Sequence, residues 1–266
     1  MNHVVKRNCV NVYGDGQQTL LFAHGFGCDQ SMWQYILPAF ISDYRVVTFD
    51  YVGSGRSDLA AYDNEKYSTL HGYAQDVLDI IEAMQLENII FVGHSVSSMI
   101  GMLAAIEKPE YFQKLIMIGP SPCYVNDLDG YNGGFDRSDI IDLLEMMEMN
   151  FQGWASYMAP LGMGQAKEVD LTKQLETSFV STNPHVARQF AEVTFFSDYR
   201  SSLPLLSVPA LIIQCSEDSI VPIEVGSYLQ EHLRYSTLQM IDTKGHYPHI
   251  SHPTETTSII MEYLTQ

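Results

Sequence analysis

Short apolar runs alternate along this chain with longer stretches of helical periodicity. The runs are rich in β-branched and other strand-forming residues, and they cover Leu20–Ala23, Val46–Phe49, Ile89–Val92, Leu115–Ile118, Leu211–Ile213 and Leu238–Ile241. Consecutive parallel strands need a long crossover connection, which is usually a helix. The alternation therefore predicts an α/β protein with a mostly parallel sheet flanked by helices.

The alternation stops after Ser121-Pro122 and resumes at the strand Ala210–Cys215. Between them, about eighty residues carry several helical stretches but no convincing strand. We therefore expect a core formed by residues 1–123 and 203–266. Residues 124–202 are expected to form a helical lid inserted into this core.

Charge and hydropathy restrict the partners of this chain. Lys plus Arg total 14 against 32 Asp plus Glu, which gives a formal net charge of -18. Such a surface repels nucleic acid and anionic lipid. The sequence has no run near the about 18 apolar residues of a membrane span, no apolar leader segment and no C-x-x-C cysteine pair. We expect a cytoplasmic protein that binds neither nucleic acid nor membranes.

Ser95 is the candidate nucleophile, because it lies where a buried strand enters a small-residue turn and then a helix. The segment Gly93–Ser97 resembles the nucleophile elbow G-x-S-x-G, with Ser97 in place of the last glycine. This turn holds a serine clear of the sheet and places helix N-terminal N–H groups beside it. An ordinary strand-to-helix turn is the alternative interpretation of these residues.

Asp218 is the candidate acid, since it follows the strand Ala210–Cys215 and precedes the candidate histidine in the chain. Nucleophile-elbow enzymes supply their residues in the order Ser, Asp or Glu, and His. Glu217 is the fallback at this position. A turn aspartate that caps the helix starting near Pro222 is the alternative role for Asp218.

His246 is the candidate general base, because Gly245 lets the loop after the last strand turn back toward the sheet edge. Two alternatives remain open for it. It can belong to a surface loop, or it can join His249 and His252 in a metal site, since three imidazoles lie close in sequence.

An oxyanion hole needs two N–H donors near the nucleophile. Val96 follows Ser95 directly, and Phe26 lies in the His24–Gly27 loop after the first predicted strand. We predict that their N–H groups are the two donors. His24 and His94 flank the same site, and we interpret them as hydrogen-bonded structural residues.

With these residues the chain resembles α/β-hydrolases over essentially its whole length. Within that family it resembles RsbQ-like bacterial energy-stress regulators in Gly25–Ser31, Phe49–Gly55, Gly93–Ser97 and Gly119–Asp127. It also resembles the plant karrikin and strigolactone receptors, in His94–Ser97, in Gly133–Phe135 and at His24. The Phe49–Gly55 segment and the region around Cys123 match the RsbQ-like group better.

The resemblance implies an eight-stranded sheet and a lid of four helices inserted after the sixth strand. It implies an enclosed apolar pocket and a slow hydrolase activity coupled to a partner, such as a regulatory phosphatase or another signalling protein. It also implies that the pocket is lined by Phe26, Phe135, Trp154, Met158, Phe195 and Ile220. Core packing is the alternative role for each of these side chains.

The sequence thus predicts a serine hydrolase for a small apolar ester, lactone or related acyl compound, without a cofactor or a metal. Haloalkane dehalogenases and epoxide hydrolases need an aspartate at the elbow, where this chain has Ser95. Three alternatives stay open: an ordinary metabolic carboxylesterase, a carbon-carbon bond hydrolase, and a non-catalytic module that binds a small ligand and a partner protein.

Overall fold

The computed structural model describes residues 3–164 and 169–265, with only the backbone at Val169. Residues 165–168 of the predicted lid lie outside the described residues. Strands β1 to β7 comprise Asn11–Tyr13, Thr19–Ala23, Arg45–Thr48, Ile89–His94, Phe112–Ile118, Ala210–Glu217 and Ser236–Lys244. Helices α1 to α10 comprise His3–Arg7, Leu70–Met84, Val96–Glu107, Arg137–Met149, Phe151–Gly162, Val169–Ser181, Pro184–Phe195, Ile223–His232, Pro248–Ser251 and Pro253–Leu264.

The strands form one sheet in the order β1-β3-β2-β4-β5-β6-β7. β1 pairs with β3 in the antiparallel sense, and the other neighbouring pairs are parallel. The predicted α/β fold with a mostly parallel sheet is confirmed, and each of the six apolar runs contributes to a strand. Because parallel strands end at the same edge, the loops after β2, β4, β5, β6 and β7 come together there.

The sheet has seven strands in the described part of the chain, rather than the eight that the resemblance implied. Upstream of β1, residues His3–Arg7 form the short helix α1 instead of a strand. The Arg7 guanidinium fixes this helix to α2 by donating to Asp76 at 3.2 Å and to Asp79 at 2.9 Å. The insertion consequently follows the fifth strand of this sheet.

Each face of the sheet packs against its own hydrophobic core. Neighbouring residues of a strand point to opposite faces, so Leu21 and Ala23 of β2 join one core while Leu20 and Phe22 join the other. The larger core continues into the helices between β5 and β6. The smaller core includes Trp33 and residues of α10. No described helix is both long and apolar enough to span a bilayer.

The chain between β5 and β6 contains the helices α4 to α7, which we call the lid helices. α4 begins with a capping box, in which Asp136 and Asp139 each accept from the backbone of the other. Asn183 caps α7, and Pro184 occupies its first turn. The helical character predicted for this segment is therefore present, while the lid boundaries at 124 and 202 stay a prediction.

The two ends of the inserted segment meet beside the sheet. Cys123 forms an isolated β-bridge with Asp198, and the Tyr199 N–H donates to the Pro122 carbonyl at 2.8 Å. Arg200 donates to both Asp127 and Asp198 and so links the incoming chain to the outgoing one. These contacts hold the lid helices over the carboxyl edge of the sheet.

Candidate active site

Ser95 occupies a sharp turn between β4 and α3. Its backbone has φ 56° and ψ -125°, a conformation that residues other than glycine rarely adopt. The Ser95 N–H donates to the Ile118 carbonyl at 2.7 Å, which ties the turn to the neighbouring strand. At Gly93, an added Cβ would approach the Ser97 carbonyl to 2.7 Å. The strand, turn and helix predicted for this segment are present, with a strained serine at the turn.

The structure brings Ser95, His246 and Asp218 together, although they lie far apart in sequence. His246 Nε2 lies 2.7 Å from Ser95 Oγ, and His246 Nδ1 lies 2.7 Å from Asp218 Oδ2. The His246 side chain is 3% exposed and that of Asp218 is 0% exposed. In this geometry the histidine donates through Nδ1 to the carboxylate, which leaves Nε2 free to accept the serine proton.

Asp218 also accepts from the backbone of its own turn. Its Oδ1 receives the Ile220 N–H at 2.8 Å and the Val221 N–H at 3.1 Å. Asp218 thus closes its own turn through Oδ1 while Oδ2 contacts His246, but it does not cap α8, whose N-cap Pro222 makes no side-chain capping bond. Glu217, the fallback acid, is instead exposed and pairs with Lys244 at 2.6 Å.

The three histidines of the alternative metal site have different partners. His246 faces Asp218 and Ser95, His249 lies against Trp33 with ring centroids 4.6 Å apart, and His252 bonds to the Thr243 hydroxyl. Within residues 3–164 and 169–265 there is no group of potential ligands that could hold a metal ion. The side chains present do not fit the metal interpretation.

The backbone of His246 is held from two sides. Its N–H donates to the Gly162 carbonyl of α5 at 2.6 Å, and its carbonyl lies 2.8 Å from His94 Nε2. Because a carbonyl only accepts, His94 carries its proton on Nε2. Burial, helped by the neighbouring imidazoles of His249 and His246, lowers the pKa of His94 well below its ordinary value. His94 is thus a neutral structural histidine.

Ser97 connects the elbow to the loop that follows β2. Its hydroxyl donates to the His24 carbonyl, and it lies 3.0 Å from the Tyr51 hydroxyl. The His24 ring in turn accepts the Tyr51 N–H at 3.2 Å through Nε2. Ser97, which replaces the last glycine of the elbow motif, therefore forms hydrogen bonds that the sequence motif did not predict.

Val96 and Phe26 occupy the positions expected of oxyanion-hole residues. Val96 is the first residue of α3, and N–H groups in the first turn of a helix have no partner within it. Phe26 follows β2, and its ring packs edge-on against Trp154 with centroids 5.9 Å apart. Donation by these two N–H groups to a reacting oxygen stays a prediction.

Ser95 opens onto a cavity of about 40 Å³. Loops after the strands contribute one side, the core wall, which comprises Phe26, Ser95, Tyr124, Ile220, His246 and Tyr247. The lid helices contribute the other side, the lid wall, which comprises Trp154, Met158, Gly162, Phe179, Thr194 and Phe195. The structure therefore places five of the six predicted pocket residues in the two walls.

Phe135 is the sixth predicted pocket residue, and it does not belong to either wall. Its ring packs against Phe195 with centroids 5.7 Å apart, one layer behind the cavity. Among the residues that sequence reasoning missed, Tyr124 places its hydroxyl 3.4 Å from Ser95 Oγ. Burial raises the pKa of Tyr124 to about 12, so the phenol next to Ser95 is neutral.

Comparison with known proteins agrees with this fold. A family model described as alpha/beta hydrolase fold matches residues 18–253. The karrikin insensitive 2 receptor CA of Petunia hybrida is 39% identical over 265 residues, which cover 99% of this chain and 98% of that protein. The strigolactone esterase RMS3 of Pisum sativum is 40% identical over 246 residues, which cover 92% of each chain.

Among solved structures, a hydrolase from Oleispira antarctica superposes with a TM-score of 0.97. It is 44% identical in sequence, and the match covers 99% of this chain and 97% of that one. The family model spans most of the sheet and all four lid helices. The chain therefore belongs to the α/β-hydrolase family.

Proposed function

We propose that this protein is a serine hydrolase that cleaves a small apolar ester, lactone or related acyl compound. The observation that carries the proposal is the pair of 2.7 Å hydrogen bonds joining Ser95, His246 and Asp218. These groups are buried beside a cavity whose remaining walls are mostly aromatic and apolar. A strained serine at the carboxyl edge of the sheet, bonded to a base that is itself oriented by a carboxylate, is the arrangement that acyl transfer needs.

In the proposed reaction, His246 Nε2 takes the proton of Ser95 Oγ as this oxygen attacks the substrate carbonyl. Asp218 holds the imidazole in the tautomer that can accept this proton and stabilises the imidazolium that forms. The N–H groups of Phe26 and Val96 stabilise the oxyanion. His246 then returns the proton to the leaving oxygen, and water releases the acyl group from Ser95 by the same steps. No cofactor enters this scheme.

The hydrolase can serve signalling rather than metabolism. Its relatives include proteins named as karrikin receptors and as strigolactone esterases, so that receptor and enzyme names occur at similar identity. We propose a slow cytoplasmic hydrolase in small-molecule or stress signalling, as in RsbQ-like proteins, with a regulatory phosphatase or similar protein as partner. An ordinary carboxylesterase, a carbon-carbon bond hydrolase and a non-catalytic ligand-binding module are the other candidates.

The test compares wild type, Ser95→Ala and Ser98→Ala in stopped-flow hydrolysis of p-nitrophenyl acetate, followed by intact-protein mass after quenching. Ser98 is also buried, but its hydroxyl donates to the carbonyl of Gly93 near the end of β4 and not toward Ser95 or His246. We expect Ser98→Ala to keep the activity and Ser95→Ala to lose it by at least about 10³-fold. Equal rates in wild type and Ser95→Ala would contradict the proposed function.

The time course separates the enzyme from the signalling protein. Steady turnover with no retained mass favours an ordinary esterase. A burst followed by slow turnover, with the acyl mass retained on wild type but not on Ser95→Ala, favours the signalling hydrolase. A ligand response and partner binding that survive Ser95→Ala would instead support the binding module.

A further inference from the structure

The cavity beside Ser95 is much smaller than most ligand sites. Its volume is about 40 Å³, whereas pockets for small molecules and cofactors usually measure roughly 300–1,000 Å³. The space beside Ser95 is therefore small for a ligand site, which favours a short acyl group such as acetyl.

The lid wall limits this space through side chains that are themselves tightly packed. Trp154 stacks on Phe151 with centroids 5.5 Å apart and contacts Phe179 at 5.2 Å and Phe26 at 5.9 Å. Such rings are fixed on several sides and cannot rotate away singly. Met158 is also buried, but it has an unbranched, flexible side chain and makes the wall adjustable by substitution.

The acyl part of the substrate is the part that this space restricts. Ser95 Oγ must approach the carbonyl carbon to about 3–3.5 Å for attack, so the acyl group lies against the cavity walls. After the first step the alcohol departs, while the acyl group stays bonded to Ser95 until water releases it.

We propose that the cavity selects esters with short acyl groups such as acetyl over longer acyl groups, and that Met158, with Trp154 and Phe179, sets this limit. The inference rests on the proposed hydrolase function and narrows its substrate class. It assigns the choice of acyl group to the lid wall, because the reacting groups belong to the core wall. A shorter side chain at Met158 would extend the cavity by the space of Cγ, Sδ and Cε.

The experiment measures kcat/KM for p-nitrophenyl acetate, propionate, butyrate and hexanoate, each divided by the spontaneous hydrolysis rate of that ester. The leaving group is the same throughout, so the ratios report on the acyl group alone. Wild type should lose at least about tenfold between acetate and butyrate, because extra methylenes in a filled site are strongly unfavourable. Met158→Ala should raise the butyrate-to-acetate ratio of kcat/KM about tenfold.

Met149→Ala is the matched control, because Met149 is 80% exposed at the end of α4. It should leave every ratio unchanged. Phe179→Leu is a second variant from another lid helix, and near-UV circular dichroism checks that each variant keeps its tertiary packing. If Met158→Ala does not fold, the acetate-to-butyrate ratios of Phe179→Leu and of wild type decide the question.

The outcomes separate this inference from the function on which it rests. Hydrolysis that requires Ser95 but is equally fast for acetate and hexanoate contradicts the acyl limit and leaves the proposed function intact. A wild-type preference for acetate that neither Met158→Ala nor Phe179→Leu relaxes contradicts the assignment to the lid wall. Absence of any Ser95-dependent hydrolysis contradicts both the proposed function and this inference.

Discussion

The two walls of the cavity are built by different kinds of interaction. In the core wall, Ser95 and His246 are held by directional hydrogen bonds of 2.7 Å, and the loop of His246 is fixed again through His94. In the lid wall, Trp154 and Phe195 are held mainly by edge-on and stacked ring contacts. Hydrogen bonds fix the position of atoms, whereas ring packing fixes a volume.

This difference predicts how substitutions will act. A change in the core wall should lower kcat for every substrate, since it misplaces reacting atoms that must be aligned closely. A change in the lid wall should alter the ratio between substrates and leave the chemistry in place. The following predictions test that separation, beginning with the largest expected effect.

Asp218→Asn should lower kcat by about 10⁴-fold, with a much smaller change in KM, because an amide can donate to Nδ1 and stabilise the wrong tautomer of His246. Glu217→Gln is the control, since Glu217 neighbours Asp218 but pairs with Lys244 at the surface. It should keep kcat within about twofold of wild type. Steady-state kinetics on p-nitrophenyl acetate checks both variants. A small loss in Asp218→Asn would mean that the carboxylate does not orient His246.

Most of the core wall could be predicted from the sequence, because chain order and strand ends determine where its loops meet. Ser95 and His246 of this wall, and Asp218 behind His246, each follow a strand of the sheet, and parallel strands bring such positions to one edge. Tyr124 lies six residues after β5 ends at Ile118, so its place in the loop at the same sheet edge was the signal that could have identified it.

The lid wall could be predicted less well, because helical periodicity gives a buried face but not what that face contacts. Phe135 and Phe179 illustrate this limit. Phe135 was expected in the pocket and lies behind Phe195, while Phe179 was not expected and lines the cavity. Their depth depends on how helices pack, which the local sequence does not specify. β1 was missed for another reason, since three residues are too few to show a period.

The buried histidines behind the core wall should make the protein sensitive to acid. Burial lowers the pKa of His249 to about 3, and the unfolded value is about 6.5. Between these values the unfolded chain binds a proton that the native state does not. The unfolding free energy should therefore decrease as the pH is lowered through this window, by up to about 1.4 kcal/mol per pH unit for His249.

His249→Phe keeps a ring between Trp33 and His94 but removes this titration. Urea denaturation between pH 6 and pH 4 should give a shallower loss of unfolding free energy than in wild type. Asp127 and Asp198, whose pKa values Arg200 lowers by hydrogen bonding, add a dependence of the same sign to both proteins, so it cancels in the comparison. Parallel pH profiles would show that His249 is not held neutral by the fold.

Ser97→Ala should affect the core wall indirectly, through the loop that carries Phe26. Its hydroxyl donates to the His24 carbonyl, which belongs to the loop that carries Phe26. Loss of this bond should lower kcat by about tenfold and leave KM within about twofold, because the loop positions an oxyanion donor rather than the ground-state substrate. Ser98→Ala removes a neighbouring buried hydroxyl without this connection. Equal kcat values for the two variants would contradict a positioning role for Ser97.

The smallest expected effect concerns two buried threonine hydroxyls, one in the lid wall and one in the core of the sheet. Thr194 lies in the lid wall, and its buried hydroxyl has no hydrogen-bond partner in the part of the chain that the structure describes. Thr48 is equally buried in β3 of the core, and its hydroxyl donates to Gln30 Oε1 at 2.6 Å. Valine has nearly the shape of threonine, so the substitution removes the hydroxyl with little change in packing.

Thr194→Val should raise the unfolding free energy by up to about 1 kcal/mol, because it removes a polar group that is desolvated without compensation. Thr48→Val should lower it by about 1–2 kcal/mol, because it leaves Gln30 with one donor fewer. Urea denaturation of both variants at one pH measures the contrast. If Thr194→Val lowers stability as Thr48→Val does, the hydroxyl has a partner in the folded protein. The lid wall would then also hold polar atoms in place by hydrogen bonds, and the volume of the cavity alone would not explain which substrates it selects.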